Sequence, residues 1–225
     1  MLARNRAAAT ALLVAVVALS ALAVVRHDAD RLRAYFEVVG ALVALTIWAD
    51  RAAHFSRALV AALTSVAILH LVGGLMTPVG DAPTFYETWI VNGVLKFDQV
   101  VHAYGTAVLT VACARLVVGL LGPVVRRGAG LAFVAALMAC GLGALNELVE
   151  FLFGLNNAHL HAGGMENTGW DLAFNLLGAA IGAVLLVSTT HDEHDAGHAG
   201  RADAGLRGLR AGRRRAGAVV SRRAG

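Results

Sequence analysis

Six long runs of apolar residues, near positions 7–25, 34–49, 58–76, 99–121, 129–153 and 169–190, constrain this chain more than any other feature it has. A helix needs about 20 such residues to cross hydrocarbon. Within a bilayer only helices and closed barrels satisfy every backbone N–H and C=O. The runs therefore predict an all-α fold, a polytopic transmembrane helix bundle of about six spanning helices, with the lipid bilayer as its partner. The run at 34–49 is the shortest. Composition excludes an ordinary soluble domain, since 58% of residues are hydrophobic and only 15% are charged.

The net charge of +4 belongs to one end of the chain. Residues 191–225 hold eight of the 19 basic residues, all Arg, and four of the 15 acidic ones, so the 11 basic and 11 acidic residues elsewhere cancel. A transmembrane domain over 1–190 is expected, followed by a disordered Arg/His-rich cytoplasmic tail over 191–225. The tail's arginines suit anionic lipid headgroups, and its His191, His194 and His198 read as a solvated cluster. No fold signal or aromatic platform supports nucleic-acid binding. Cys113 and Cys140 each fall inside a predicted span and read as small packing residues.

Arg4 and Arg6 precede the first run, and Ala21-Leu22-Ala23 has the small-x-small look of a signal cleavage site. An uncleaved helix fits better, because that site lies inside the apolar run rather than after it. Positive charge then sets the orientation. With the N-terminus cytoplasmic, the inner segments carry Arg4 and Arg6, Arg51 and Arg57, Arg126 and Arg127, and the tail. Arg26, Arg31 and Arg33 in the first outer loop run against the rule. Trp89 and Trp170 lie beside outer helix ends. Both termini are expected in the cytoplasm of a cell with the protein in its plasma or inner membrane. The segment 77–97, with Pro78, Gly80, Pro83 and Gly93, reads as irregular with a short interfacial helix over 85–91, and 155–167 reads as an outer loop rich in Asn, His and Gly.

Against this apolar background the acidic residues stand out. An ionisable group at the centre of a spanning helix costs about 2.5–3.5 kcal/mol on insertion scales, so it faces the protein interior and finds a partner. Glu37 lies in the second helix, His70 near the outer end of the third, and Asp98 and His102 at the start of the fourth. Glu147 and Glu150 end the fifth, and Asp171 and Asn175 open the sixth. On the topology above, all fall in the outer half of the membrane. Asp98 and His102, and Asp171 and Asn175, are spaced i, i+4, and Glu147 and Glu150 i, i+3, so each pair shares a helix face. Gly105, Gly143 and the run Gly178-Ala179-Ala180-Ile181-Gly182 offer close-packing surfaces beside them.

Five carboxylates in one partly dry volume require compensation. Protonated acids, cationic His102 and His70, or a bound divalent metal would each provide it. For a metal, Asp98, His102, Glu147 and Glu150 form the candidate ligand set. Mixed carboxylate and imidazole ligands suit Zn, Mn or Fe, although the spacing matches no strong metal signature. His159 and His161 in the outer loop read as solvated. Blander roles exist for several residues. Thr168 and Asp171 fit a capping box at the sixth helix, Asp98 suits the dipole of the fourth, and Glu37 is one turn from Arg33. Glu147 and Glu150 resist such readings, because the end of a helix where acids are favoured is the opposite one.

The pieces Phe36-Glu37-Val38, Leu69-His70, Phe97-Asp98 with His102, Asn146-Glu147 with Glu150-Phe151, and Asn167-Thr168-Gly169-Trp170-Asp171 with Asn175, in this order and spacing, resemble the bacterial inner-membrane family typified by YjdF. More loosely they are similar to VanZ-like membrane proteins. The resemblance covers about residues 30–188. The family pattern has an Asp-Thr pair where this chain has Asn167-Thr168, and a Gly where it has Val101. What the resemblance implies is a six-helix membrane protein with this polar set, and, through the link of VanZ-like proteins to glycopeptide-antibiotic tolerance, an envelope or lipid-linked substrate. The leading functional expectation is a site near the outer leaflet acting on a lipid headgroup, with Glu147 or Glu150 as general base, Asp98 and His102 as partner dyad, Asp171 beside them, and Glu37, His70, Thr168 and Asn175 in support. A proton- or ion-coupled transporter and a non-catalytic scaffold held by its polar cluster are the alternatives.

Overall fold

The structure, a computed structural model, describes residues 5–25, 29–77, 84–156 and 164–189. The expectations for the tail, for His159 and His161, and for Pro78, Gly80 and Pro83 lie outside the described residues. The chain divides into two compact units, Met1–Leu185 and Leu186–Gly225, and the bundle belongs to the first except for the last residues of its sixth helix.

Six helices make up the described fold. They are α1 (Arg6–Val25), α2 (Ala29–Ala53), α3 (Arg57–Leu75), α4 (Phe97–Leu121), α5 (Ala129–Asn156) and α6 (Gly164–Thr189). Among the described residues α3, α4, α5 and α6 are long and apolar enough to cross a membrane. The apolar character of α1 extends from Arg6 to Leu22. Helix α2 begins earlier and ends later than its apolar run, taking in charged residues at both ends.

Local chemistry sets several boundaries. The Leu59 amide donates to Ser56 Oγ at 3.2 Å, which caps α3. At the start of α4, Gln99 Oε1 accepts from the Lys96 amide at 2.9 Å, and Asp98 sits in the first turn where the helix dipole favours a negative charge. Between α3 and α4 the interfacial helix expected over 85–91 is replaced by a single 3-10 turn, Phe85–Glu87, and a short antiparallel hairpin, β1 (Trp89–Val91) with β2 (Leu95–Lys96). Gly93, with φ of 70°, makes the turn, and β-branched Ile90 and Val91 favour the extended backbone. Lys96 Nζ lies 5.3 Å above the Trp89 ring.

Helix α3 packs against α1, α2 and α4, and α4 packs in turn against α2 and α5. At one end of the bundle Ala49, Phe55, Leu59, Leu63 and Ala112 form an apolar cluster. There a Cβ on Gly119 would fall 2.6 Å from the Ala52 carbonyl oxygen, so the α2–α3 corner rests directly on α4. Towards the other end Leu19, Val39, Ala67, Leu71 and Leu75 form a second cluster. Helix α6 meets α4 through glycine: a Cβ at Gly182 would lie 2.7 Å from the Ala107 carbonyl oxygen, and one at Gly178 would collide with that of Ala103.

The distribution of polarity is that of a molecule built for lipid. Large apolar side chains such as Phe133, Leu137, Leu176 and Val184 point outward, while Asp98, Thr106, Thr110, Glu147, Asp171 and Asn175 are buried. In water that arrangement would be strongly unfavourable, since buried polar groups cost free energy and exposed apolar ones gain none. In hydrocarbon it is what polar side chains between helices require.

Candidate functional site

The N-terminal halves of α4 and α6 and the last turns of α5 meet at one end of the bundle, and His102 is where they meet. One ring nitrogen, Nε2, lies 3.3 Å from Asp98 Oδ1 on its own helix and 3.9 Å from Asp171 Oδ1 on α6. The other, Nδ1, lies 3.2 Å from Asn175 Oδ1 on α6 and 3.5 Å from Glu147 Oε1 on α5. Helical spacing explains how each helix contributes twice: Asp98 and His102 are one turn apart, as are Asp171 and Asn175.

Further polar groups fix this arrangement. The Asn167 amide donates to Asp98 Oδ2 at 3.3 Å and also to Asp171 Oδ2, joining the two aspartates across α4 and α6. Thr106 Oγ1 lies 2.6 Å from Asn175 Oδ1 and 2.8 Å from the His102 carbonyl oxygen. Asn146 donates to Glu150 Oε1 at 2.7 Å. Glu150 belongs to the same neighbourhood, since ligand atoms of His102, Glu147 and Glu150 lie within 4.8 Å of one another, as do those of Asp98, His102 and Asp171. Asp171 is 1% exposed and Glu147 4%, yet Asp171 Oδ1, Glu147 Oε1 and Asn175 Nδ2 make no hydrogen bond. Orphaned buried polar atoms are rare and costly, and these three surround one imidazole.

Three residues expected in support of the site have settings of their own. Glu37 pairs with Arg33 at 2.9 Å on an exposed face of α2. His70 Nδ1 lies 2.6 Å from the Tyr86 hydroxyl, with the Tyr35 ring 5.0 Å away. Burial pushes the Tyr86 phenol well above its usual value, which keeps it a hydrogen-bond donor. Thr168 is no cap: α6 starts at Gly164, which puts Thr168 in the second turn and Asp171 in the helix body. The capping reading of Asp171 therefore fails, because Asp171 bonds sideways to Asn167 and faces His102. Of the residues that sequence reasoning passed over, Thr106 and Asn167 had a signal in their spacing, one turn from His102 and Asp171. Tyr86 had none, because the chain between α3 and α4 decides where it lands.

A family model described as a predicted membrane protein, DUF2238, matches residues 7–192. The chain belongs to this family. No curated protein and no solved structure matches it.

Beside the cluster, this DUF2238 protein holds a cavity of about 640 Å³ bounded by α2, α3, α4 and α5 and reaching Asn175 of α6. Its wall is mostly aliphatic, with Leu42, Val66, Leu109 and Leu142 among its members. Glu37, His70, His102, Thr106, Asn146 and Asn175 supply its polar points. Glu147 and Glu150, the bases expected from sequence, are not in this wall; they stand behind His102 and Asn146. Gly143 lets the Asn175 side chain pack directly against α5, because a Cβ there would sit 2.7 Å from the Asn175 amide nitrogen.

Proposed function

We propose that this protein binds a lipid or lipid-linked molecule in the membrane and acts on its headgroup at His102 and Asn175. The observation that carries the reading is the cavity. Its volume falls within the roughly 300–1,000 Å³ of small-molecule sites, its wall suits a hydrocarbon chain, and its polar end is formed by two residues of the carboxylate cluster. Asn175 Nδ2 offers an unused donor for a headgroup oxygen. Glu147, whose Oε1 is unpaired 3.5 Å from His102, is the proton acceptor in this scheme, and Asp98 holds His102 in place.

The same reading makes the protein an inner-membrane component of the YjdF type in which all six helices span, with the site towards the outer leaflet and both termini in the cytoplasm. Support comes from Arg51 in the last turn of α2, Arg57 at the start of α3, and Arg126 and Arg127 between α4 and α5, all far along the chain from the cluster-bearing turns. An envelope substrate, as the VanZ-like resemblance implies, and contact of the tail with anionic lipid belong to this proposal.

The test is a comparison of envelope lipids in cells making the wild-type protein or Glu147→Gln, with the purified variant checked for folding. A lipid that changes with wild type and not with the variant is the expected result. Identical lipid profiles, with both proteins folded and present in equal amount, would sink the enzymatic reading.

A further inference from the structure

We infer that Asp98 Oδ1, Asp171 Oδ1 and His102 Nε2 bind a first-row divalent metal ion, with Asn167 and Asn175 orienting the three ligands. The inference concerns the edge of His102 turned towards the two aspartates, and it stands whether or not the cavity takes a lipid.

Distances decide between a metal and a simple ion pair. A charge-assisted N–H to carboxylate hydrogen bond is about 2.7–2.9 Å long. His102 Nε2 is 3.3 Å from Asp98 Oδ1 and 3.9 Å from Asp171 Oδ1, too far for either to be a good one. Metal bonds of about 2.0–2.2 Å place neighbouring ligands about 3–3.5 Å apart. The three atoms lie within 4.8 Å of one another, so side-chain movements on the order of 1 Å bring them onto a shared ion.

The surroundings have the form that a metal site needs. Asn167 occupies Oδ2 of both aspartates, which leaves both Oδ1 atoms turned towards His102. Asp171 Oδ1, on a side chain that is 1% exposed, makes no hydrogen bond. On the far side of the imidazole, Nδ1 has two oxygen neighbours, Asn175 Oδ1 at 3.2 Å and Glu147 Oε1 at 3.5 Å. Asn175 Oδ1 can only accept, which places the ring proton on Nδ1 and leaves the Nε2 lone pair free for a metal; ligating histidines are normally held by such a bond. Charge points the same way. Among the described residues, His102 is the ion-pair partner of Asp98, Glu147 and Asp171, and one imidazole does not balance three carboxylates. Two carboxylates and one imidazole suit Mn, Fe or Zn in preference to soft metals. This set differs from the one read in sequence, since Asp171 replaces Glu147 and Glu150.

The experiment measures metal in protein purified in detergent, after dialysis against Mn²⁺ or Zn²⁺ and removal of free ion, by plasma mass spectrometry. About one equivalent per chain is expected for the wild type, less than a tenth of that for Asp171→Asn, and wild-type content for Glu150→Gln. Asn167→Ala keeps all three ligands and loses only their orientation, so its affinity should fall about 10–100-fold in a competition titration. A folded wild type that retains neither ion overturns the proposal in favour of a cationic His102. Equal loss in Glu150→Gln and Asp171→Asn, with both folded, overturns the assignment of ligands. If Asp171→Asn does not fold, the wild-type stoichiometry and the Asn167→Ala affinity decide. Turnover of lipid enters none of these readings, so failure here and failure of the lipid reading are separate results.

Discussion

Replacing Gly178 with Ala tests whether the site depends on how closely α6 approaches α4. The added Cβ would lie 2.8 Å from the Ala103 carbonyl carbon and 2.9 Å from its Cα, whereas carbon atoms rest at about 3.5–4.0 Å. The obstacle is helix backbone, which has no rotamer to change. The Ala103 carbonyl oxygen lies closer still, so the helices must part by about 1 Å or more, and overpacking of this kind costs about 1–3 kcal/mol, or roughly 5–150-fold in the folded-to-unfolded ratio. Asp171 and Asn175 ride on α6, so the same movement stretches the 3.2 Å contact between His102 and Asn175 beyond hydrogen-bond reach. The assay is equilibrium unfolding in mixed micelles, with Gly141→Ala on α5 as control, where a Cβ meets nothing within 4 Å. The control should match wild type or exceed it by up to about 1 kcal/mol, since Ala favours a helix over Gly. Unfolding of Gly178→Ala at the same midpoint as the control would refute the packing argument.

Two further substitutions probe the contacts of Glu37 and His70. Arg33→Ala should shift stability by no more than about 0.5 kcal/mol in the same assay, because its bond to Glu37 joins side chains that are 80% and 49% exposed. Tyr86→Phe removes the hydroxyl at His70 and should cost about 1 kcal/mol near neutral pH. Its pH dependence has a defined sign. Burial raises the Tyr86 phenol above its ordinary value, so the unfolded chain releases that proton first, and wild-type stability falls as pH rises above about 10. That part of the alkaline loss should be missing in Tyr86→Phe.

The polar set was legible in sequence because lipid makes polarity expensive. Asp98, His102, Glu147, Glu150, Asp171 and Asn175 interrupt apolar runs, and the i, i+3 and i, i+4 spacings show which of them share a face. The same reasoning could not separate Glu37 and His70 from the others. Both line the cavity beside His102, but Glu37 pairs with Arg33 and His70 with Tyr86 rather than with the carboxylates around His102. Nor did pattern reveal that α6 begins at Gly164, which changes Asp171 from a cap into a neighbour of His102.

By itself the sequence determined that the chain forms apolar helices suited to a membrane and that a small number of acids and imidazoles must find one another inside them, since hydrocarbon offers those groups no other solvent. Tertiary structure alone decided which of these groups meet. The contacts run between side chains up to 73 residues apart, and their identity follows from helix rotation and from how near Gly178 and Gly182 let α6 come to α4, quantities that no local period encodes.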